Sequence, residues 1–260
     1  LHRLVIFSDL DGTLLDEKYR WTLAKEAIDL CKELDIPIAL VSSKTKAEIE
    51  VIRERLGLND PFAVENGGAV FFPKGKGYEK IEIGVSYSEL VEALRKIKKE
   101  LGWNIKGFSD MDINEIAYIT GMDLSSAYLA SLREYDEPFI ILDKIDDLSP
   151  LYELADKMGL RVIKGGRFFH LQGKNDKGKA LDIMIPWFRK KIGRDIITVA
   201  LGDSPNDFPM FLKVDIPVLI ASSRRISFPK LPNLRISRKK GPEGWNQEVI
   251  KIIREIYKGG

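Results

Sequence analysis

Two short stretches of this chain gather acidic side chains at the ends of apolar runs. Residues 7–13 read F-S-D-L-D-G-T, which sets Asp9 and Asp11 two residues apart directly after the apolar run 4–7. A run without alternation suits a strand buried on both faces of a parallel sheet, and at a period of two both carboxylates leave it on the same side. Ligands of open α/β sheets collect at such carboxyl ends. Gly12 lets the chain turn sharply beside the acids, and Thr13 can add a hydroxyl or a backbone donor. The second stretch, Gly202-Asp203-Ser204-Pro205-Asn206-Asp207, follows the apolar run 196–201 and opens a helix. Two carboxylates and an amide on one turn offer hard oxygen donors suited to a magnesium ion, which keeps several of its waters. Each stretch alone also reads as turn or capping chemistry, through Asp-Gly or through Asp203 or Asn206 as a cap. Taken together they favour one acidic centre built from two strand ends.

Periodicity supplies the elements that would position this centre. Residues 22–34 carry Leu23, Ala24, Ala27, Ile28, Cys31 and Leu34 at helical spacing before a second buried run at 36–41, a βαβ unit. A helix over 46–56, a strand near 62–64 and a small hairpin around 69–72 continue the pattern. Past Gly84 the order changes to a helix over 87–101, a strand at 104–108, two helical segments within 112–135, a strand at 139–142, a helix over 148–158 and strands at 161–164 and 167–171. Gly165 and Gly166 would turn the last hairpin. From Lys177 the first pattern resumes, with a helix that Pro186 would kink, a buried strand 196–201, a helix near 207–213 and a strand 216–220. The expected fold is α/β: a Rossmann-like, doubly wound parallel sheet core (1–83 and 172–260) with an inserted α+β cap domain at 84–171.

Composition narrows the partners. At 260 residues the chain can bury one large or two modest domains, and 44% hydrophobic residues beside 31% charged argue against disorder. Lys plus Arg number 41 against 39 acidic residues, a net charge of +2, so no field for a polyanion follows. The basic stretch Arg224, Arg225, Lys230, Arg235, Arg238, Lys239 and Lys240 lacks interleaved stacking aromatics and reads as solvated surface rather than a nucleic-acid site. Cys31 is the single cysteine, which excludes internal disulfides and reads as a buried inert thiol. No run approaches the ~20 apolar residues of a membrane span, and residues 1–7 are too short for a signal peptide. A cytoplasmic protein is expected, with a Lys/Glu-rich composition that leans towards a thermophile.

Asp-x-Asp-Gly-Thr and Gly-Asp-x-x-Asn-Asp, in this order, resemble the two outer motifs of the haloacid dehalogenase superfamily of phosphotransferases. The resemblance extends over almost the whole chain. It implies that Ser42, at the end of Ile38-Ala39-Leu40-Val41-Ser42, binds a phosphoryl group, and that Lys177 in Asn175-Asp176-Lys177-Gly178-Lys179 is the accompanying lysine, with Lys174 as the competing choice. Glu65-Asn66-Gly67 resembles the turn found in members with a large α/β cap. Phosphoryl transfer needs a positioned nucleophile and compensation of charge on the transferring oxygens. The implied roles are Asp9 as nucleophile, forming an aspartyl-phosphate, and Asp11 as the acid and base for leaving alcohol and water. Magnesium would sit on Asp9, the backbone carbonyl of Asp11 and Asp203, with Asn206 and Asp207 behind them orienting water or Lys177.

The cap would choose the alcohol. Ser42-Ser43-Lys44-Thr45, Gly166-Arg167-Phe168-Phe169-His170 and Gly241-Pro242-Glu243-Gly244-Trp245 resemble the subfamily that hydrolyses mannosyl-3-phosphoglycerate. That substrate carries a phosphate and a carboxylate, so cations beyond Lys177 are needed; Ser43, Lys44, Thr45, Arg167 and His170 are the candidates. Each has a plainer reading: Arg167 as a solvated strand-end charge, His170 as a satisfied sheet histidine, Lys44 and Thr45 as the opening of the next helix. Trp21, Trp103, Trp187 and Trp245 read as core or interface residues. A sugar phosphomutase would use the same core, and a phosphoacceptor signalling domain would share the aspartate, hydroxyl and lysine but has no use for Asp11. Crossings near Gly84 and Gly173 would serve as hinges of the cap.

Overall fold

The computed structural model describes residues 3–165, 167–222 and 229–257. The uninterrupted apolar runs form the middle of an eight-stranded sheet. β1 (Arg3–Ser8) pairs in parallel with β2 (Ile38–Val41), which pairs in parallel with β3 (Phe62–Val64). An antiparallel β4 (Ala69–Lys74) and then β5 (Gly77–Glu82) complete that side. On its other side β1 pairs in parallel with β10 (Ile196–Gly202), then follow β11 (Ile216–Ala221) and the edge strand β12 (Arg235–Lys240), all parallel. β2 is buried throughout and β1 everywhere but at Arg3, as strands covered on both faces must be.

Two pairs of helices accompany this sheet. α1 (Lys25–Glu33), preceded by a 3-10 turn, packs with the C-terminal α9 (Gly241–Tyr257), whereas α7 (Lys177–Ile192) packs with the short α8 (Phe208–Phe211). Pro186 lies inside α7 and does not divide it. Neither β12 nor α9 was expected from the sequence. β12 is a poor strand by composition, with Arg238, Lys239 and Lys240 exposed as edge strands tolerate; Arg224 and Arg225 lie outside the described residues.

By internal contacts the chain divides into two units, 1–42 with 58–81 and 176–260, and 43–57 with 82–175. The borders expected from the sequence lie at 84 and 171, with 43–57 in the core; here α2 (Lys46–Leu56) groups with the second unit.

That second unit is built on an antiparallel sheet in the order β6 (Ile105–Gly107), β7 (Asp136–Ile141), β9 (Phe169–Gln172), β8 (Arg161–Lys164). α3 (Tyr87–Leu101) and α6 (Ser149–Lys157) supply Leu90, Leu94, Ile97, Leu151 and Ala155 to a core with Phe139 and Leu171. α4 (Ile113–Thr120) and α5 (Leu124–Ser131) form a smaller cluster around Phe108, Ile116 and Ala127. β7 starts at Asp136, earlier than expected, although Asp-Glu-Pro are types depleted in strands. Pro138 lies opposite His170 in the ladder with β9, whereas β6 pairs only with residues 139–141. The expected Gly165-Gly166 turn involves Gly166, which lies outside the described residues; the Gly165 N–H donates to the Phe168 carbonyl at 2.8 Å. Among the described residues no helix is long and apolar enough to cross a membrane.

Candidate active site

Parallel pairing brings the two acidic stretches together. Ser8 lies opposite Leu201, and the Asp9 N–H donates to the Leu201 carbonyl at 2.9 Å, so Asp9 and Asp203 leave adjacent strands at the same end. Ser8 also lies opposite Leu40, which carries Ser42 to that end. The turn after β1 closes through Thr13 N–H and Leu15 N–H, both donating to the Leu10 carbonyl, with Gly12 at φ +76°. A side chain at Gly12 would begin 2.4 Å from Asp203 Oδ2, so glycine is what allows the first acidic turn to lie against the second.

Lys177 is the first residue of α7 and is buried in the centre of the cluster. Its Nζ donates to Asp9 Oδ1 at 2.6 Å and to Asp207 Oδ1 at 2.5 Å. The other oxygen of Asp207 accepts from the N–H groups of Asp203 and Ser204, each at 2.9 Å, and from the Ser204 hydroxyl at 3.0 Å. Asp207 thus closes its own turn and clamps Lys177. Thr13 Oγ1 donates to Asp9 Oδ2 at 3.4 Å. Lys174, the competing lysine, pairs instead with Asp156 at 3.0 Å on the surface of the second unit.

Electrostatics here are set by two carboxylates around one ammonium. Burial pushes the Asp9 carboxyl above the ordinary aspartate range; Lys177 pulls it down, while the charges of Asp207 and Asp11 add to the rise. Burial works against the charge on Lys177, but Asp207 and Asp9 outweigh it and raise the ammonium above the ordinary lysine range. The lysine is therefore charged at neutral pH.

Ligand atoms of Asp9, Asp203 and Asp207 lie within 4.8 Å of one another, a set of hard oxygen donors that fits a divalent cation. Asp207 accepts four protein hydrogen bonds across its two oxygens, against two for Asp9, so a cation here would draw chiefly on Asp9 and Asp203. Asp11 is exposed next to this cluster in sequence, and Asn206 is half-buried on the second turn.

The turn Glu65-Asn66-Gly67 does more than its sequence suggested. All three residues have positive φ, of 47°, 55° and 81°. The Asn66 N–H donates to the Ser42 carbonyl at 3.0 Å, and a side chain at Gly67 would begin 2.2 Å from the carbonyl oxygen of Asp176, which caps α7. One strained turn therefore supports both Ser42 and the start of the lysine helix. Trp245, expected as a core or interface residue, also makes a specific bond. Its indole N–H donates to Ser8 Oγ at 2.9 Å, and Ser8 Oγ–H donates to the Asp9 carbonyl at 2.7 Å. No local pattern could have linked residues so far apart.

The candidates for substrate contact have partners inside the second unit. Thr45 caps α2: its hydroxyl accepts from the Glu48 N–H at 3.2 Å, and the Glu48 carboxylate returns to the Thr45 N–H at 2.9 Å. Lys44 is buried with its Nζ 3.6 Å from Glu48, and Ser43 offers its carbonyl to Arg133 at 3.0 Å. Arg167 Nη1 donates to the Ile119 carbonyl at 2.9 Å, and His170 Nδ1 lies 2.8 Å from Asp136 Oδ2. The helix opening foreseen as a plainer role for Thr45 is what its side chain does here.

Comparison with known proteins agrees with this architecture. The model of the haloacid dehalogenase-like hydrolases matches residues 6–147. A glucosyl-3-phosphoglycerate/mannosyl-3-phosphoglycerate phosphatase of Persephonella marina is 42% identical over 270 residues, covering 98% of this chain and 99% of the relative. Its counterpart in Methanococcoides burtonii is 40% identical over 264 residues, covering 96% and 97%. Among solved structures, a Thermoplasma acidophilum protein superposes with a TM-score of 0.67 at 20% identity, covering 96% of this chain and 98% of that one, a likeness of fold. The chain belongs to the haloacid dehalogenase-like hydrolases.

Proposed function

We propose that this hydrolase is a phosphatase that passes a phosphoryl group through Asp9 to water, with mannosyl-3-phosphoglycerate or its glucosyl counterpart as substrate. The observation that carries the chemistry is Lys177, held between Asp9 and Asp207 at the ends of β1 and β10. A carboxylate repels a phosphate dianion, and a buried ammonium on its own oxygen reduces that repulsion while fixing the attacking geometry. The Asp9 oxygen attacks phosphorus, the bond to the leaving oxygen breaks, and Asp11 gives that oxygen a proton. Water then attacks the phosphorus of the aspartyl-phosphate, Asp11 takes its proton, and Asp9 is regenerated. Ser42, at the end of β2, is assigned to the phosphoryl oxygens. Magnesium held by Asp9, Asp203 and the Asp11 carbonyl would supply positive charge against the same oxygens.

The substrate assignment is supported by the two relatives and by three sequence stretches, 42–45, 166–170 and 241–245. In this reading the inserted domain (84–171) selects the alcohol, and Lys44, Arg167 and His170 offer charge to the glycerate carboxylate. The single cysteine and the composition support a cytoplasmic setting in a thermophile.

Phosphate release from a panel of phosphorylated sugars and glycerates, with magnesium, with EDTA and with Asp9→Asn, tests the proposal. Magnesium-dependent turnover fastest on mannosyl- or glucosyl-3-phosphoglycerate is expected. Faster turnover of other sugar phosphates would overturn the substrate, and full activity of Asp9→Asn would overturn the mechanism.

A further inference from the structure

We propose that Arg133 is a positioning residue for the loop Ser42-Ser43-Lys44-Thr45, acting from the end of α5 and itself held by Asp136 and His170. The inference rests on the phosphatase reading, in which Ser42 binds the phosphoryl group.

The loop joins the end of β2 to the start of α2 and has no regular ladder of its own. On the side of Ser42 it is fixed by the Ser42 N–H donating to the Ala63 carbonyl at 3.1 Å and by the Asn66 N–H donating to the Ser42 carbonyl at 3.0 Å. The next peptide carbonyl, that of Ser43, accepts from Arg133 Nη1 at 3.0 Å. The carbonyls of two successive peptides, on either side of the Ser43 Cα, are therefore held by different partners, and the backbone that follows Ser42 is clamped.

Arg133 is well placed to act as that clamp. The last carbonyls of a helix lack intrahelical partners and favour cationic donors. At the end of α5 the Leu129 carbonyl accepts the Thr45 hydroxyl at 2.9 Å, and the Ala130 carbonyl accepts Arg133 Nε at 2.9 Å. Thus the loop is pinned to one helix end at two points, Ser43 and Thr45. The same guanidinium reaches Asp136 Oδ2 at 3.3 Å, and His170 Nδ1 reaches that oxygen at 2.8 Å. Asp136 has no exposed surface and the Arg133 side chain is only 10% exposed, so water competes weakly for these bonds. A planar fork is required to serve a helix carbonyl, a loop carbonyl and a carboxylate together; a lysine has one nitrogen for the same three acceptors. This chain of contacts also joins two stretches singled out in the sequence, 42–45 and the one that ends in His170, through residues no motif contained.

The test is a double-mutant cycle of phosphate release from mannosyl-3-phosphoglycerate with magnesium, using Arg133→Ala, Ser42→Ala and both together. Arg133→Ala is expected to lower kcat/KM about 10- to 100-fold, and to cost less than about threefold more once Ser42 is already alanine, because it acts through Ser42. Arg133→Lys is expected to recover only part of the loss. Additive losses would show a merely structural role and overturn the proposal, as would unchanged kinetics in Arg133→Ala. Should Arg133→Ala fail to fold, Arg133→Lys and Asp136→Asn carry the same cycle with the same criteria. A wild-type enzyme inactive on every phosphate ester would overturn the phosphatase reading and this proposal with it, whereas an active wild type with additive losses overturns this proposal alone.

Discussion

The indole N–H of Trp245 donates to the hydroxyl of Ser8 at 2.9 Å, joining the first turn of α9 to the last residue of β1. Ser8 in turn donates to the carbonyl of Asp9, so the peptide of the proposed nucleophile is held by a residue near the other end of the chain. Trp245 is fully buried. Trp245→Phe removes the donor and part of the volume, and should cost about 1–3 kcal/mol of stability. Denaturant titration checks this. Ser8→Ala combined with Trp245→Phe should cost less than the sum of the two, since both break one bond.

Lys177→Met should be close to inactive. It takes the compensating charge from Asp9 and Asp207 together, and the loss of one well-placed electrostatic partner lowers kcat by about 10²–10³. Stability should fall as well, by about 3–5 kcal/mol, because two buried carboxylates lose their cation. Lys174→Met, by contrast, breaks an exposed pair with Asp156 and should leave kcat within twofold, on the order expected for surface pairs. Steady-state kinetics of the two variants side by side separate these expectations.

Gly67→Ala should cripple the site without touching a reacting group. Its φ of +81° is unfavourable for alanine, by about 1–2 kcal/mol, and the new Cβ would lie 2.2 Å from the Asp176 carbonyl. Relief requires shifting the cap of the helix that begins with Lys177. Gly75→Ala is the control: its φ is +59° but nothing lies within 4 Å, so only the backbone cost applies. Equal losses of activity in the two variants would refute the argument.

Glu137 gives stability a pH dependence. It shares the helix-covered face of β7 with Phe139, and its Oε1 accepts from the Ser109 N–H at 3.0 Å and the Ser109 hydroxyl at 2.6 Å. Burial raises its carboxyl above the ordinary value of 4.5, against the lowering effect of Ser109 and Tyr87. The folded state thus holds this proton more tightly than the unfolded chain. The corresponding stability is complete below pH 4.5 and is lost as the pH rises through the folded value. Glu137→Gln should flatten that decline, as read by denaturant midpoints across the acidic to neutral range.

The sequence alone determined the parts of the candidate centre and most of the order of the elements that carry them. Asp9, Asp11, Asp203 and Asp207 were legible because each follows an apolar run or opens a helix, and those signals are local: burial of a strand shows as lack of alternation, a turn shows as Gly, Pro or Asp. The helices 46–56 and 87–101 have the ends expected from their periodicity, and each opens on a capping residue and closes on a left-handed glycine. Tertiary structure decided everything that depends on which distant backbones meet. Parallel pairing in register placed Asp9 beside Asp203, and the start of α7 put Lys177, the lysine the motif favoured, on Asp9, whereas Lys174, three residues away, pairs with Asp156. The same holds for Trp245 and Ser8, for Gly67 and Asp176, and for Arg133 and Ser43. Their contacts are single hydrogen bonds or close approaches between separate elements, and such contacts leave no periodicity in either partner's neighbourhood. β12 and the early start of β7 escaped for a related reason: their charged residues and Pro138 oppose strand formation locally, and only the ladder and burial supplied by neighbouring strands outweigh that preference.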